Sequence, residues 1–373
     1  MAESTRLADL VQTRIDEFVS DRSLILSSIS EELTPLVEIS RRFLSGGKRF
    51  RALFAYWGWQ SVSGEPDGFD PFSTEDDVPD LSAVVSVAAA LEVFHAAALV
   101  HDDIIDNSDT RRGAPAAHRS FEALHREGGW AGDGAEFGRA AAILHGDLLL
   151  GWSDELLDEA LDLLPDRVAA RRTRLEFNRM RTEVTGGQYL DILEERAWPT
   201  RSEEEMRSRA ETVITYKSAK YSVLAPLVIG AALGGGSDEQ LAALRSFGLP
   251  LGIAYQLRDD LLGVFGDEQV TGKPSGDDLR EGKRTMLIAM ARERIGTGPR
   301  RILDELLGDP ALDADQIRLL QSTITASGAV DEMEALIARQ VMRATTVMTD
   351  APLTRRSRRE LALLAETVTR RAS

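Results

Sequence analysis

The sequence predicts an all-α fold, and three observations carry that expectation. Leu7, Leu10, Val11, Ile15 and Phe18 recur at three- and four-residue steps, which is the spacing of one buried helix face. The same spacing runs through Leu148 to Leu164, Leu241 to Phe265 and Met333 to Met348. No set of alternating strands is evident, and no Asn-Gly or Asp-Gly turn joins two strand-like runs. With 373 residues, 43% of them apolar and 28% charged, the chain has ordinary globular composition and enough material for a large core.

Read in order, the pattern places helices at 4–33, 47–62, 81–107, 137–164, 166–195, 202–219, 221–233, 238–265, 283–294, 300–307, 313–326, 328–350 and 354–370. Gly64 to Asp80 is acidic and rich in Gly and Pro, and Gly128 to Gly138 is Gly-rich. Both read as surface insertions at 64–80 and 128–138. Gly234-Gly235-Gly236-Ser237 is a tight connector in which Ser237 caps the next helix. No linker is long enough to separate domains, so 1–373 reads as a single domain.

Composition excludes several classes. A formal charge of -17 repels nucleic acid and anionic lipid. The absence of Cys excludes disulfides, thiolate metal sites and a cysteine nucleophile. The start MAESTRLADL has no basic stretch leading into an apolar one, so no signal peptide is expected. The apolar run Val84 to Val100 is broken by Glu92 and His95 and is too short to span a membrane. The expectation is a cytoplasmic protein without a transmembrane segment.

Two acidic clusters carry the chemistry. His101-Asp102-Asp103-Ile104-Ile105-Asp106 ends an Ala-rich helix, and Asp102 and Asp106, four apart, share a face. Carboxylates so placed repel unless a cation joins them, and an all-oxygen donor set suits Mg²⁺, which favours one or two carboxylates plus substrate phosphates. Arg111 and Arg112 follow directly, and His95 lies two turns earlier on the same face. The second cluster, Gln256-Leu257-Arg258-Asp259-Asp260-Leu261-Leu262-Gly263, sits on another long helix but has Gly263 where a third acid is expected, with Asp267 the next carboxylate. Gly272-Lys273-Pro274 and Lys283 trail it. Glycines let a backbone approach phosphate, and Lys supplies a compact charge. Two such helices can face each other across the cavity of a single large helical bundle, where bundles build metal sites. Only five of the 44 basic residues are Lys (48, 217, 220, 273 and 283), and most of them lie beside these motifs.

Taken together, Gly46-Gly47-Lys48-Arg49-Phe50-Arg51, His95 to Gly113, Gly187-Gln188-Tyr189-Leu190-Asp191, Lys217-Ser218-Ala219 and Gln256 to Lys283 resemble the trans-polyprenyl diphosphate synthases, nearest to the bacterial geranylgeranyl diphosphate synthases. The resemblance implies the isoprenoid synthase fold with a central active-site cavity and a homodimer. It implies several Mg²⁺ ions per site, held by Asp102, Asp103, Asp106, Asp259 and Asp260. Arg111, Lys217 and Lys273 are then contacts to the allylic diphosphate, and Lys283, beyond the glycine loop, is a further substrate-binding residue. Lys48, Arg51, His95 and Arg112 form the isopentenyl diphosphate pocket. Gln188, Asp191, Lys217, Ser218 and Gln256 surround the developing allylic cation. The implied reaction is head-to-tail condensation of isopentenyl diphosphate with dimethylallyl, geranyl or farnesyl diphosphate by ionisation, condensation and elimination, in which Asp102, Asp106, Lys217, Gln256 and Asp259 are catalytic. Gly263 departs from the family pattern.

In such synthases a bulky residue four or five positions before the first Asp shortens the product. Here Ala97 and Ala98 stand there, which disfavours a farnesyl product. Phe94, one turn deeper, is the expected floor of the chain tunnel, so geranylgeranyl diphosphate is the expected product. A longer polyprenyl product, a class I terpene cyclase and a catalytically silent synthase subunit are the alternatives. The paired Asp259-Asp260 and the basic pocket at Lys48 and Arg51 argue against the last two.

Overall fold

The computed structural model describes residues 2–63, 80–266 and 275–369. Asp267, Lys273 and the insertion expected at 64–80, apart from Asp80, lie outside the described residues. Backbone packing groups the chain into two compact units, Met1–Leu175 with Pro226–Gly236, and Glu176–Ala225 with Ser237–Ser373. The chain passes from one to the other three times, so no single linker marks the division in the sequence.

The first unit is built on α1 (Ala2–Ile29), α2 (Thr34–Leu44), α3 (Phe50–Gln60), α4 (Ser82–Ile105), the strands β1 (Thr110–Arg111) and β2 (Ala114–Pro115), α5 (Ala117–Glu127), α6 (Gly134–Asp162) and the start of α7 (Arg167–Ala197). Its centre is α4. Val84 to Phe94 are all buried, because this helix is covered by α1, α3 and α6. Ser153 on α6 donates to the Ala90 carbonyl at 2.7 Å. Helix α4 is long and apolar enough to cross a membrane, which the broken run Val84 to Val100 did not suggest, but 78% of its most apolar window is buried inside the protein. That is the profile of a core helix.

The helix expected at 4–33 ends sooner, because Ser30 is extended and starts a 3₁₀ turn. Pro35 in the first turn of α2 then begins a helix that the periodicity did not reveal. Helix α5 and the β1–β2 pair were not foreseen either. The turn between the strands has Arg112 at φ 54° and Gly113 at φ 73°, a mirror-image hairpin turn written Arg-Gly instead of Asn-Gly. The expected insertion at 128–138 is shorter than its glycines suggest. Asp133 accepts from the Ala135 amide at 2.8 Å and starts α6 at Gly134, while Trp130 packs edge-on against Phe137.

The second unit contains the rest of α7, α8 (Met206–Val213), a π-helix (Ile214–Leu224), α10 (Asp238–Phe265), α11 (Asp277–Glu281), α12 (Met286–Arg294), α13 (Thr297–Leu306), α14 (Ala314–Ala326), α15 (Ala329–Val347) and α16 (Arg355–Thr369); α9 (Ala225–Leu233) lies almost wholly in the first unit. Helix α10 is its axis and packs on the π-helix and α15. Ser237 caps α10 as expected, in a reciprocal box with Gln240. Leu257, Leu261, Val264, Leu279, Leu287, Leu303, Leu320 and Met333 form one buried cluster, each contributing about 1.5–3 kcal/mol by leaving water. The break expected at 220 is absent. Instead the helical turns continue through the π-helix.

His145 on α6 is fully buried. Its Nε2 meets Ser40 Oγ at 2.9 Å, and the rings of Phe43 and Phe121 flank it. Burial, with help from Arg42 and His101, pushes its imidazole down from 6.5 to about 4. Between those values the unfolded chain binds a proton that the folded chain refuses. Stability therefore falls as pH drops from about 6.5 to about 4, by up to about 3 kcal/mol from this group. Urea midpoints at pH 7 and pH 4.5 check this: His145→Gln is expected to lose less stability on acidification than the parent chain.

Candidate active site

In the first unit, His95, Ala98, Leu99, Asp102 and Asp106 form a half-buried stripe along α4. Their spacing keeps them on one face. Ala97 is fully buried and Phe94 is 5% exposed, so both belong to the packed side of the helix. Asp106 caps α4, its amide bonded to the Asp102 carbonyl at 2.8 Å.

Asp103 is treated differently from its neighbours. It is fully buried, and its Oδ1 accepts from Arg111 Nε at 2.9 Å and also from Arg111 Nη2. Arg111 Nη2 lies 3.7 Å from Asp102 Oδ2. Strand β1 delivers Arg111 to this carboxylate. One residue on, Arg112 in the hairpin turn lies over Gly47, where an added Cβ would sit 3.4 Å from its guanidinium. The structure therefore brings the Gly46–Arg51 segment and the Arg111–Arg112 turn to the same end of α4.

His95 lies between these cations. Burial first, then Arg51, Arg112, Arg111 and Arg49, holds its imidazole well below 6.5, so it is neutral at physiological pH. Lys48 is exposed. The segment itself is held from below by a residue that motif reading passed over. Glu92, one turn before His95, is 5% exposed; it binds Arg49 Nη1 at 3.2 Å and accepts the Ala52 amide at 3.2 Å. Its only sequence signal was a charge inside an otherwise apolar run.

In the second unit, Lys217 and Ser218 lie on the π-helix, a form often found at functional positions. Lys217 Nζ donates to Asp191 Oδ2 on α7 at 2.5 Å. The two elements touch because Gly187 has no side chain: a Cβ there would meet the Lys217 backbone nitrogen at 2.3 Å. Gln188 is half-buried one position further on. On α10, Gln256 Nε2 donates to Asp260 Oδ1 at 2.8 Å. Asp260 is 4% exposed, and its Oδ2 accepts no hydrogen bond among the described residues. Burial pushes the Asp260 carboxyl up to about 8; the Gln256 bond opposes this, and Asp278, Asp259 and Asp191 add to it. Asp259 beside it is half-buried. Lys283 Nζ reaches Glu281 Oε2 at 2.5 Å and Asp278 Oδ1 at 3.8 Å.

Among the described residues no three acids or imidazoles close into a ready-made cage. Asp102, Asp103, Asp106, Asp259 and Asp260 are thus not preassembled as a metal site within either unit. The donor chemistry still fits Mg²⁺. Asp102 and Asp106 are half-buried carboxylates one turn apart, and Asp260 offers a buried oxygen without a proton donor among the described residues. A small hard cation that keeps waters and shares substrate phosphates needs only one or two such groups.

The sequence model of one family, Polyprenyl synthetase, matches residues 34–324. The chain belongs to the polyprenyl synthetase family. It is 31% identical over 336 residues to the geranylgeranyl diphosphate synthase of Methanosarcina mazei, covering 88% of this chain and 89% of that one. It is 32% identical to the geranylfarnesyl diphosphate synthase of Natronomonas pharaonis, covering 87% of each. The crystal structure of geranylgeranyl pyrophosphate synthase from Corynebacterium glutamicum, complexed with isoprenyl diphosphate and magnesium, superposes with a TM-score of 0.89 at 37% identity, over 98% of this chain and 99% of that one. The all-α fold of this chain is therefore that of the prenyl synthases.

Removing the carboxylate at position 92 strands a buried guanidinium. Glu92→Ala is expected to lower unfolding stability by about 3–5 kcal/mol, read from denaturant midpoints, and Glu92→Gln by less. A Glu92→Ala midpoint equal to the parent's would show that Arg49 does not depend on this pair.

Proposed function

We propose that the protein is a trans-prenyltransferase that condenses isopentenyl diphosphate head-to-tail with dimethylallyl, geranyl or farnesyl diphosphate, with geranylgeranyl diphosphate as its product. One observation carries this reading. A single face of α4 presents a carboxylate pair at Asp102 and Asp106 and, two turns away, a neutral His95 ringed by guanidiniums. Seven helical residues span about 10 Å. The reaction needs two diphosphates held in two different ways, one ionising and one intact.

The guanidiniums of Arg51 and Arg112, with Lys48, bind the isopentenyl diphosphate directly, and neutral His95 donates a ring N–H to a phosphate oxygen. A terpene cyclase has no use for this second pocket. The allylic diphosphate goes to the acidic side. Asp102 and Asp106, joined by Asp259 and Asp260, would hold Mg²⁺ there, and Mg²⁺ when bound supplies positive charge against the leaving diphosphate. Asp103 orients Arg111 toward the same diphosphate, and Lys217, Lys273 and Lys283 add charge to it. As the allylic C–O bond breaks, charge grows on the leaving group, and preorganised cations stabilise it more than they stabilise the substrate. Asp191, Gln188, Ser218 and Gln256 turn oxygen atoms to the allylic cation. The isopentenyl double bond then attacks that cation, and a proton is lost to the released diphosphate.

Ala98, on the half-buried face below Asp102, leaves room for the growing chain, while Ala97 and Phe94, packed behind that face, are proposed as the wall and floor the chain meets. A homodimer is part of the same reading, with the exposed apolar side chains Phe137 and Leu144 on α6 as the surface proposed for it. The setting proposed is cytoplasmic.

Incubation of the purified chain with farnesyl and isopentenyl diphosphates and Mg²⁺ tests the reading. Geranylgeranyl diphosphate is expected, and Asp102→Asn is expected to lose about 10²–10³ in turnover. No condensation by the parent chain would overturn the reading in favour of a silent subunit. Product chromatography of Phe94→Ala is expected to show longer chains; an unchanged length removes Phe94 from the account.

A further inference from the structure

The Gly46–Arg51 segment is wound in a way that most residues avoid. Gly46 and Gly47 are left-handed at φ 68° and 88°, and so is Arg49 at φ 48°. Glycine takes such angles freely, whereas arginine takes them only where its surroundings enforce them. Gly47 lies under Arg112, whose guanidinium is 3.4 Å from where a Cβ would be. A shift in this turn would therefore disturb Arg112 as well as Lys48 and Arg51.

The enforcement comes from three other elements. Arg49 is 8% exposed, and its guanidinium donates to Glu92 Oε2 on α4 at 3.2 Å, to the Leu44 carbonyl at the end of α2 and to Gln12 Oε1 on α1 at 2.5 Å. Gln12 is itself oriented, because its Nε2 donates to Asp16 Oδ1, one turn on, at 2.9 Å. That leaves the amide oxygen to face Arg49. Glu92 also accepts the Ala52 amide at 3.2 Å, so one carboxylate holds both the left-handed turn and the first turn of α3. Arg49 thus directs its donors into the protein, whereas Lys48 beside it is exposed.

We propose that Gln12 and Glu92 are positioning residues for isopentenyl diphosphate. Acting through Arg49, they lock the left-handed turn that fixes the backbone from which Lys48 and Arg51 extend. This rests on the synthase reading above and deepens it by tying α1, which carries none of the motifs, to one of the two substrates. The contacts run through Arg49 and bypass the carboxylate pair at Asp102 and Asp106, so the effect falls on the diphosphate that stays intact and spares the one that ionises.

Steady-state kinetics of the full-length protein with Mg²⁺, varying each diphosphate while the other saturates, test this. Gln12→Leu removes the acceptor and is expected to raise KM for isopentenyl diphosphate about 10-fold, while KM for farnesyl diphosphate and kcat stay within about twofold of the parent. Gln12→Glu keeps an acceptor for Arg49 and is expected to restore most of the parent KM. A merely structural role gives a different result, because a smaller folded fraction lowers kcat and moves neither KM. If Gln12→Leu does not fold, judged by circular dichroism, Glu92→Gln carries the same test with the same expected split. Equal changes in both KM values, a parent-like KM for isopentenyl diphosphate in the folded variant, or a Gln12→Glu protein as impaired as Gln12→Leu overturns the assignment and leaves the synthase reading standing. A parent chain that forms no product overturns that reading, and this inference with it.

Discussion

Carboxylates cannot be gathered in a half-buried place without something positive beside them. Repulsion and lost hydration both work against it. The structure meets this demand with side chains of its own at several acids of the candidate site. Asp103 is neutralised by Arg111, Asp191 by Lys217 and Glu281 by Lys283. Glu92 does the same in reverse, giving buried Arg49 a counter-ion. Asp260 has no such cation among the described residues and instead favours its protonated form. Asp103, Asp191 and Glu281 each hold a cationic side chain in place. Asp102, whose Oδ2 lies 3.7 Å from Arg111 Nη2, is with Asp106, Asp259 and Asp260 assigned by the proposed reaction to a cation that arrives with substrate.

The scaffold that makes this possible relies on close approach. Gly187 lets α7 reach the π-helix backbone, which is what places Asp191 on Lys217. The Arg-Gly hairpin turn sends Arg111 and Arg112 in different directions, one to Asp103 and one over Gly47. Helix α4 carries the load of the first unit because one side is buried against α1, α3 and α6, while its other side stays half-buried from His95 to Asp106. A helix with an apolar stripe on one side and polar groups on the other is built for this division of labour.

Much of this was legible in the sequence. The fold class followed from apolar periodicity, and the Ser237 cap from a single residue type in the right place. The acidic pair at Asp102 and Asp106 followed from four-residue spacing. What was hidden was hidden for physical reasons. Helix α2 is short and begins at a proline after an extended serine, so its pattern merges with that of α1. The β-turn uses Arg where Asn or Asp would have signalled it. The π-helix has no compositional signature. Glu92 lies outside the motifs, and its role depends on a neighbour distant in sequence, Arg49. Spacing along a chain shows which residues share a helix face; it does not show which backbone will come close to another.

The central claim is that the metal-binding carboxylates admit a diphosphate only together with a divalent cation. Calorimetric titration of the purified protein with a non-ionising thiolo analogue of farnesyl diphosphate measures this most directly. Binding is expected in Mg²⁺, and none is expected in EDTA, where the acidic cluster repels the ligand. Equal affinity in Mg²⁺ and in EDTA would contradict the account, because lysines and arginines alone would then suffice to hold the diphosphate.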